Sequence, residues 1–540
     1  MTAGIDTTWD LLATTANEAV ADVLIPALDS PWPAIRDNAF KILLERRNHA
    51  GQSALLRRLH RMDEAWREQL FEHREGLTRA VRDAALDPDP QTCANGCEAL
   101  VWFHEYELMA ALVNAVEADG NPHVDLHAAA VLRLAEELLQ ELSLPRDDCR
   151  RIDPQRSRAA ALSCLEQSLL KFGQHGRKEI VEAFLVLVSR ENAAYKAILA
   201  NPRHGSYLPL IDLLLHSDRP GVIRLVLSSL DDPHPTSAAL SVLSRRQSPK
   251  FIRHLLKKIG QEPSAAAAAN LKKIESLAWA RPDAGIIQGL DDDEQHSLIR
   301  LVAASGQKRT DALETVEFIL RHGLPAGRRA AAAALKQFSG GTVNRLSMDA
   351  LDDEDPHVQA AAIKQIRPRG LPGVLGRLIE LADSPHGVVR AAVRETMTEF
   401  RFGRYLAAFD ALDDDVRRST GVLVRKIDTQ TISQLSAEFY SPVRTRRLRA
   451  IAVSLAIQAA PAVEMHLRAA LLNDSDHFVR VEAAKALSYC DTPSAAAALQ
   501  EALEDTSLLV RDVAKRGLDE LASRGIVPNR WPPTEEPAHE

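Results

Sequence analysis

Cysteine is scarce. Five residues in 540, an odd number thinly spread, cannot build a disulfide framework and point to a reducing compartment, the cytoplasm. Long apolar runs are missing too. Stretches such as Phe184 to Val188 fall far short of the ~20 residues that cross a bilayer, and Met1 to Asp10 has no basic leader, so no membrane partner and no secretory signal are expected. Gly (25) and Pro (28) are too sparse for a collagenous or low-complexity chain. Trp9, Trp32, Trp66, Trp102, Trp279 and Trp531 are scattered and never interleave with basic runs. A base-stacking platform is therefore not expected. A net charge of −8 gives no unselective pull toward nucleic acid or anionic lipid. No phosphate-binding loop, Gly-x-Ser-x-Gly or Gly-x-Gly-x-x-Gly sequence occurs; Gly370, Gly373 and Gly376 have the wrong spacing and begin a helical pattern.

What the chain has in quantity is repetition. It is several times the length of an ordinary domain, and one phrase recurs. An apolar helical stretch ends in Leu, an acidic or Pro/Gly turn follows, and a second apolar-periodic stretch begins. Leu230-Asp231-Asp232-Pro233, Leu290-Asp291-Asp292-Asp293, Leu351-Asp352-Asp353, Leu412-Asp413-Asp414, Leu472-Asn473-Asp474 and Leu503-Glu504-Asp505 lie on one ladder. Gly260-Gln261-Glu262-Pro263, Arg321-His322-Gly323, Asp383-Ser384-Pro385 and Ser441-Pro442 fill its gaps, and Leu86-Asp87-Pro88 and Leu28-Asp29-Ser30-Pro31 extend it backwards. The step is about 30 residues, with two helices in each, the signature of an α-solenoid. An all-α fold is expected: a right-handed α-α superhelix of about sixteen helical hairpins. Val479, Ala483, Ala486 and Leu487 show the reason for stacking, since they form one apolar stripe that only a neighbour can cover.

The segment Leu381-Ala382-Asp383-Ser384-Pro385-His386-Gly387-Val388-Val389-Arg390-Ala391-Ala392-Val393 resembles a HEAT repeat, as do Leu472 to Leu487, Leu503 to Leu518 and Leu28 to Leu43. The resemblance implies an armadillo-type scaffold that binds a protein or peptide on its solenoid surface without catalysis. The alternative it leaves open is a HEAT-like enzyme of the bilin-lyase or metal-dependent hydroxylase type. Deoxyhypusine hydroxylase, a HEAT-like enzyme, would require several His-Glu pairs at equivalent second-helix positions. This chain has one, His104-Glu105, and shows Val481-Glu482 and Asp512-Val513 where others would fall. No cofactor is expected.

The organisation expected is an N-terminal array over 1–142, an irregular insert over 143–157, a C-terminal array over 158–523 and a flexible Pro-rich acidic tail over 524–540. Asp291 to Asp293 and Asp413 to Asp415 could hold a hard cation, but they sit where helix caps sit, and capping is preferred. Cys93 and Cys97 are i,i+4 on one second helix, and His123 and His127 are i,i+4 one step later. A tetrahedral zinc site is geometrically open to them, although small buried cysteines and core packing explain the pattern more simply. The partner-binding candidates are Arg444, Arg446, Arg447 and Arg449. They crowd one helix start whose turn, Ser441-Pro442, lacks an acid. Unpaired guanidinium groups there would suit an acidic or phosphorylated protein or peptide. Arg390, Arg417, Arg447, Arg480 and Arg511 share a register, and for most of them an internal ladder to turn acids is expected.

Overall fold

The computed structural model describes residues 3–145, 153–260 and 264–528. Within them the chain forms thirty-three α-helices joined by short 3-10 turns, and no strand occurs among the described residues. The helices divide into two compact units, Met1–Phe318 and Ile319–Glu540. Each unit is an array of hairpins in which helices pack on those of the next hairpin, as Val124–Ser143 does on Lys178–Leu187 and His477–Leu487 on Leu508–Ser523. This is the all-α hairpin repeat that the ladder of turns implied.

The turn residues do what the repeat requires of them. Asp89, Asp355 and Asp476 stand at N-caps and accept from backbone N–H groups inside their helices, and Pro90 and Pro356 follow at the first helical position, where no N–H is needed. Asp291 forms a full capping box with Glu294. Asp413 occupies an N-cap position without a side-chain cap bond, while Asp414 and Asp415 pair with Arg417 and Arg418. Behind these caps the expected stripe Val479, Ala483, Ala486 and Leu487 is fully buried.

Helices reach into both ends of the segment 143–157. Ser143 closes the helix Val124–Ser143, and Asp153 caps the next helix, Pro154–Leu170. Residues 146–152 lie outside the described residues, as does 529–540 of the tail.

Two recurring arginine roles tie hairpins together. In the second unit, the arginine six residues after the first turn residue reaches back to that residue's carbonyl oxygen. Arg390 donates to Ser384 at 2.6 Å, Arg447 to Ser441 at 3.0 Å, Arg480 to Asp474 at 2.9 Å and Arg511 to Asp505 at 2.9 Å. Arg447 also grips Asp474 of the following turn through two bonds of 2.6 and 2.9 Å, and Arg480 grips Asp505 at 2.7 and 3.0 Å. These are fork-to-fork pairs with little water access. The internal ladder is present at these rungs. The Arg480 hydrogen bonds hold the Asp505 carboxyl below the ordinary carboxylate range.

In the first unit the neighbouring hairpin more often supplies a cap for helix C-termini, whose last carbonyls have no intrahelical donor. Arg158 donates to Leu187, Arg190 to Ser228, and the Asn95 amide to both Leu56 and Arg57. Arg246, fully buried, donates to Leu214 and Ser217.

Candidate binding groove and a buried cysteine–histidine cluster

Three of the four proposed metal ligands do meet. The donor atoms of Cys93, Cys97 and His127 lie within 4.8 Å of one another, and all three residues are buried. Their surroundings explain why. Gly96, on the same helix as both cysteines, lies so close to the end of the Thr78–Ala85 helix that a Cβ would sit 2.2 Å from the Ala85 nitrogen. That approach brings the Ala85 carbonyl, a helix-terminal orphan, into the cluster. Cys93 Sγ donates to it at 3.1 Å and His127 Nε2 at 2.8 Å.

The tautomer follows from Asn121. Its Nδ2 donates to the Ala115 carbonyl at 2.6 Å and its Oδ1 accepts from the His123 backbone at 2.9 Å, which fixes the amide. Nδ2 then faces His127 Nδ1 at 2.8 Å, so Nδ1 accepts and the ring proton rides on Nε2. A metal-bound histidine needs the opposite arrangement, with Nε2 bare and Nδ1–H facing an acceptor. His123, the fourth candidate, turns away and donates from Nε2 to the Pro88 carbonyl at 2.8 Å. In this arrangement Cys93 and His127 Nε2 are both turned to the Ala85 carbonyl. They cap a helix. The Cys93 neighbour, with burial, pushes the Cys97 thiol up.

The arginine cluster also differs from expectation. Arg444 pairs with Asp476 at 2.9 Å, Arg446 with Glu438 through two bonds of 2.9 and 2.6 Å, Arg447 with Asp474, and Arg449 with Asp410 at 2.8 Å. None of the four guanidinium groups stands unpaired. The missing acid of their own turn is replaced from the preceding helix, the preceding turn and the following turn. Arg444 also lies over the Phe478 ring at 5.0 Å.

The open space is elsewhere. A groove of about 720 Å³ runs across the second unit beside the helix Arg444–Ala456. Ala452 and Ala456 lie in it with Leu455, Pro461, Phe409 and Tyr489. The sequence places Ala452 and Leu455 in the core stripe of their helix. In the structure Ala452 is exposed and Leu455 only half-buried, while Ala450, Ile451, Val453 and Ser454 turn inward. The small outward side chain of Ala452 leaves the depression. Its charged rim is satisfied internally: Arg417 donates to the Phe409 carbonyl at 2.8 Å and pairs with Asp414 at 3.0 Å, Arg418 pairs with Asp415, and Glu482 pairs with Lys485. Tyr489 is 60% exposed and presents an aromatic wall with nothing stacked on it among the described residues. A second cleft, about 610 Å³ in the first unit, is lined instead by Arg253, His254, Lys257, Asp291, Asp293 and Glu294, charged on both walls.

Comparison with known proteins finds the repeat in one segment. Residues 286–398 match the family described as HEAT repeats. Among solved structures, the chain aligns over 93% of its length with 98% of an engineered protein at 15% identity and a TM-score of 0.18. It aligns over 93% with 99% of a chain from a study of a phosphorylation switch between cadherin and β-catenin, at 14% identity and a TM-score of 0.34. It also aligns over 95% with 64% of Kap121p bound to Ste12p, at 13% identity and a TM-score of 0.25. No curated protein sequence matches. No described helix is long and apolar enough to cross a membrane. With its ladder of capped turns and its stacked hairpins the chain is an all-α hairpin solenoid, and its segment 286–398 is similar to HEAT repeats.

Proposed function

We propose that the protein is a non-catalytic scaffold that holds a segment of a protein partner in the groove beside Ala452. The observation that carries this reading is the groove's make-up: one outward alanine, Ala452, an aromatic wall at Tyr489 and rim charges that already have partners. A partner entering it loses little by leaving its own charges outside, and gains by burying an aliphatic or aromatic side chain. The acidic or phosphorylated character expected of the partner has no support left at Arg444, Arg446, Arg447 and Arg449, because their carboxylates are supplied from within.

The test is quantitative capture from extract of the native host with the wild-type chain and with Ala452→Arg, which fills the depression from an exposed position. Proteins retained by the wild type and depleted at least tenfold with the variant, at equal melting temperature, support the reading. Identical retained sets would remove the groove from it.

A further inference from the structure

Resting on that reading, we propose that the groove is occupied in the resting protein by the chain's own C-terminal segment, Trp531-Pro532-Pro533, which a partner segment must displace. The first observation is where the described chain leaves the array. After the helix Leu508–Ser523, the Arg524 guanidinium pairs with Asp491 at 2.6 Å and donates to the Ser488 carbonyl. These two residues flank Tyr489, the aromatic wall. The Ile526 amide turns back to the Leu521 carbonyl at 3.0 Å, which fixes the exit. Trp531 lies three residues beyond the described end at Pro528, a reach of up to ~10 Å, and the whole of 529–540 can extend up to ~40 Å.

The second observation is chemical fit. The groove offers exposed Ala452, half-buried Leu455 and exposed Tyr489, with buried Ala456 and Phe409 also in its lining and its charges already paired. Trp-Pro-Pro brings one large aromatic ring and two rings that have no backbone N–H to leave unsatisfied. Proline-bearing segments suit aromatic-lined grooves for this reason. No other tryptophan follows Trp279 in the chain. The groove volume lies within the range of sites that enclose a few side chains.

The experiment titrates a fluorescein-labelled peptide spanning Val527 to Glu540 onto the full chain and onto the full chain carrying Trp531→Ala, reading anisotropy. In the wild type a tethered segment competes at an effective concentration near millimolar. The peptide should therefore bind the Trp531→Ala chain at least tenfold more tightly than the wild type. Adding Ala452→Arg or, separately, Tyr489→Ala to that chain should weaken it at least tenfold, as should Trp531→Ala in the peptide. Equal binding to both chains, no binding, or binding indifferent to both groove substitutions at unchanged melting temperature would overturn the proposal. Sedimentation showing a concentration-dependent dimer that Trp531→Ala abolishes would also overturn it, by placing the segment in a second copy. Groove-dependent partner capture with no peptide binding would sink the tail alone and leave the scaffold reading standing.

Discussion

The groove at Ala452 and the cluster at Ala85 are built from opposite materials. Around Ala85, two thiols, an imidazole and an amide converge, and Cys93 and His127 both turn to a helix-end carbonyl that lacks a donor. Around Ala452, a chemically inert side chain faces outward, and the charged groups are turned to one another. The region richest in reactive groups is thus the more closed, and the region poorest in them is open. Polar side chains inside a close-packed array find partners at once, because leaving one unsatisfied costs about 1–3 kcal/mol. Vacancy arises where side chains are small.

The sharpest way to break this comparison is at Gly96. If the cluster is a packing device, Gly96→Val drives a branched side chain into the Ala85 backbone, where even a Cβ has only 2.2 Å. The first unit should lose its cooperative melt in calorimetry, whereas Gly173→Ala, with nothing within 4 Å of the added atom, should change melting little.

Next in size is Arg480→Ala, which strands the shielded Asp505 carboxylate and removes the clasp on the Asp474 carbonyl. A loss of about 3 kcal/mol is expected in the second unit, read by denaturant unfolding. The pH dependence has a definite sign. Asp505 is held below its ordinary value by Arg480, so the pair's contribution is complete above the unfolded carboxyl pKa of about 3.9 and fades as pH falls through the lower folded value. The substitution should therefore cost less in strong acid than at neutrality.

Smaller again is His127→Ala, which removes one of two donors to Ala85 and leaves Asn121 facing a void; about 1–3 kcal/mol is expected from the melting shift. A chelator belongs beside this measurement. Unchanged melting and no released zinc agree with the capping role, and release of one equivalent of zinc per chain would restore Cys93, Cys97 and His127 as ligands. The smallest effect belongs to Arg446→Ser. Its guanidinium pairs with Glu438 at the surface, and neither melting temperature nor partner capture should move. Salt-sensitive loss of capture would return the arginine cluster to the binding surface.

These contrasts also mark what could be read from residue order. The hairpin repeat was legible because capping and apolar periodicity act within a few residues, as at Asp476 and Val479 to Leu487. The meeting of Cys93, Cys97 and His127 was legible too, since i,i+4 pairs one step apart stack side by side. Their role was not, because it depends on the Ala85 carbonyl and the Asn121 amide, which no side-chain pattern announces. The arginine cluster misled for a related reason. Its acids, Glu438, Asp410, Asp474 and Asp476, arrive from three different segments. The groove escaped notice because Ala452 satisfies helical spacing on either face and is too small to declare which one is buried.

The arginine clasps of the second unit give the array a direction. Arg447 and Arg480 each hold their own turn with one nitrogen and reach forward to the acid of the next, Asp474 and Asp505, while among the described residues Arg511 has only its own turn to hold. Removing hairpins from the C-terminal side would strand a guanidinium at the new boundary, and removing them from the N-terminal side would strand a carboxylate. Shortened arrays of equal length would thus end in opposite charges, and joining two of them head to tail would close the broken pair again.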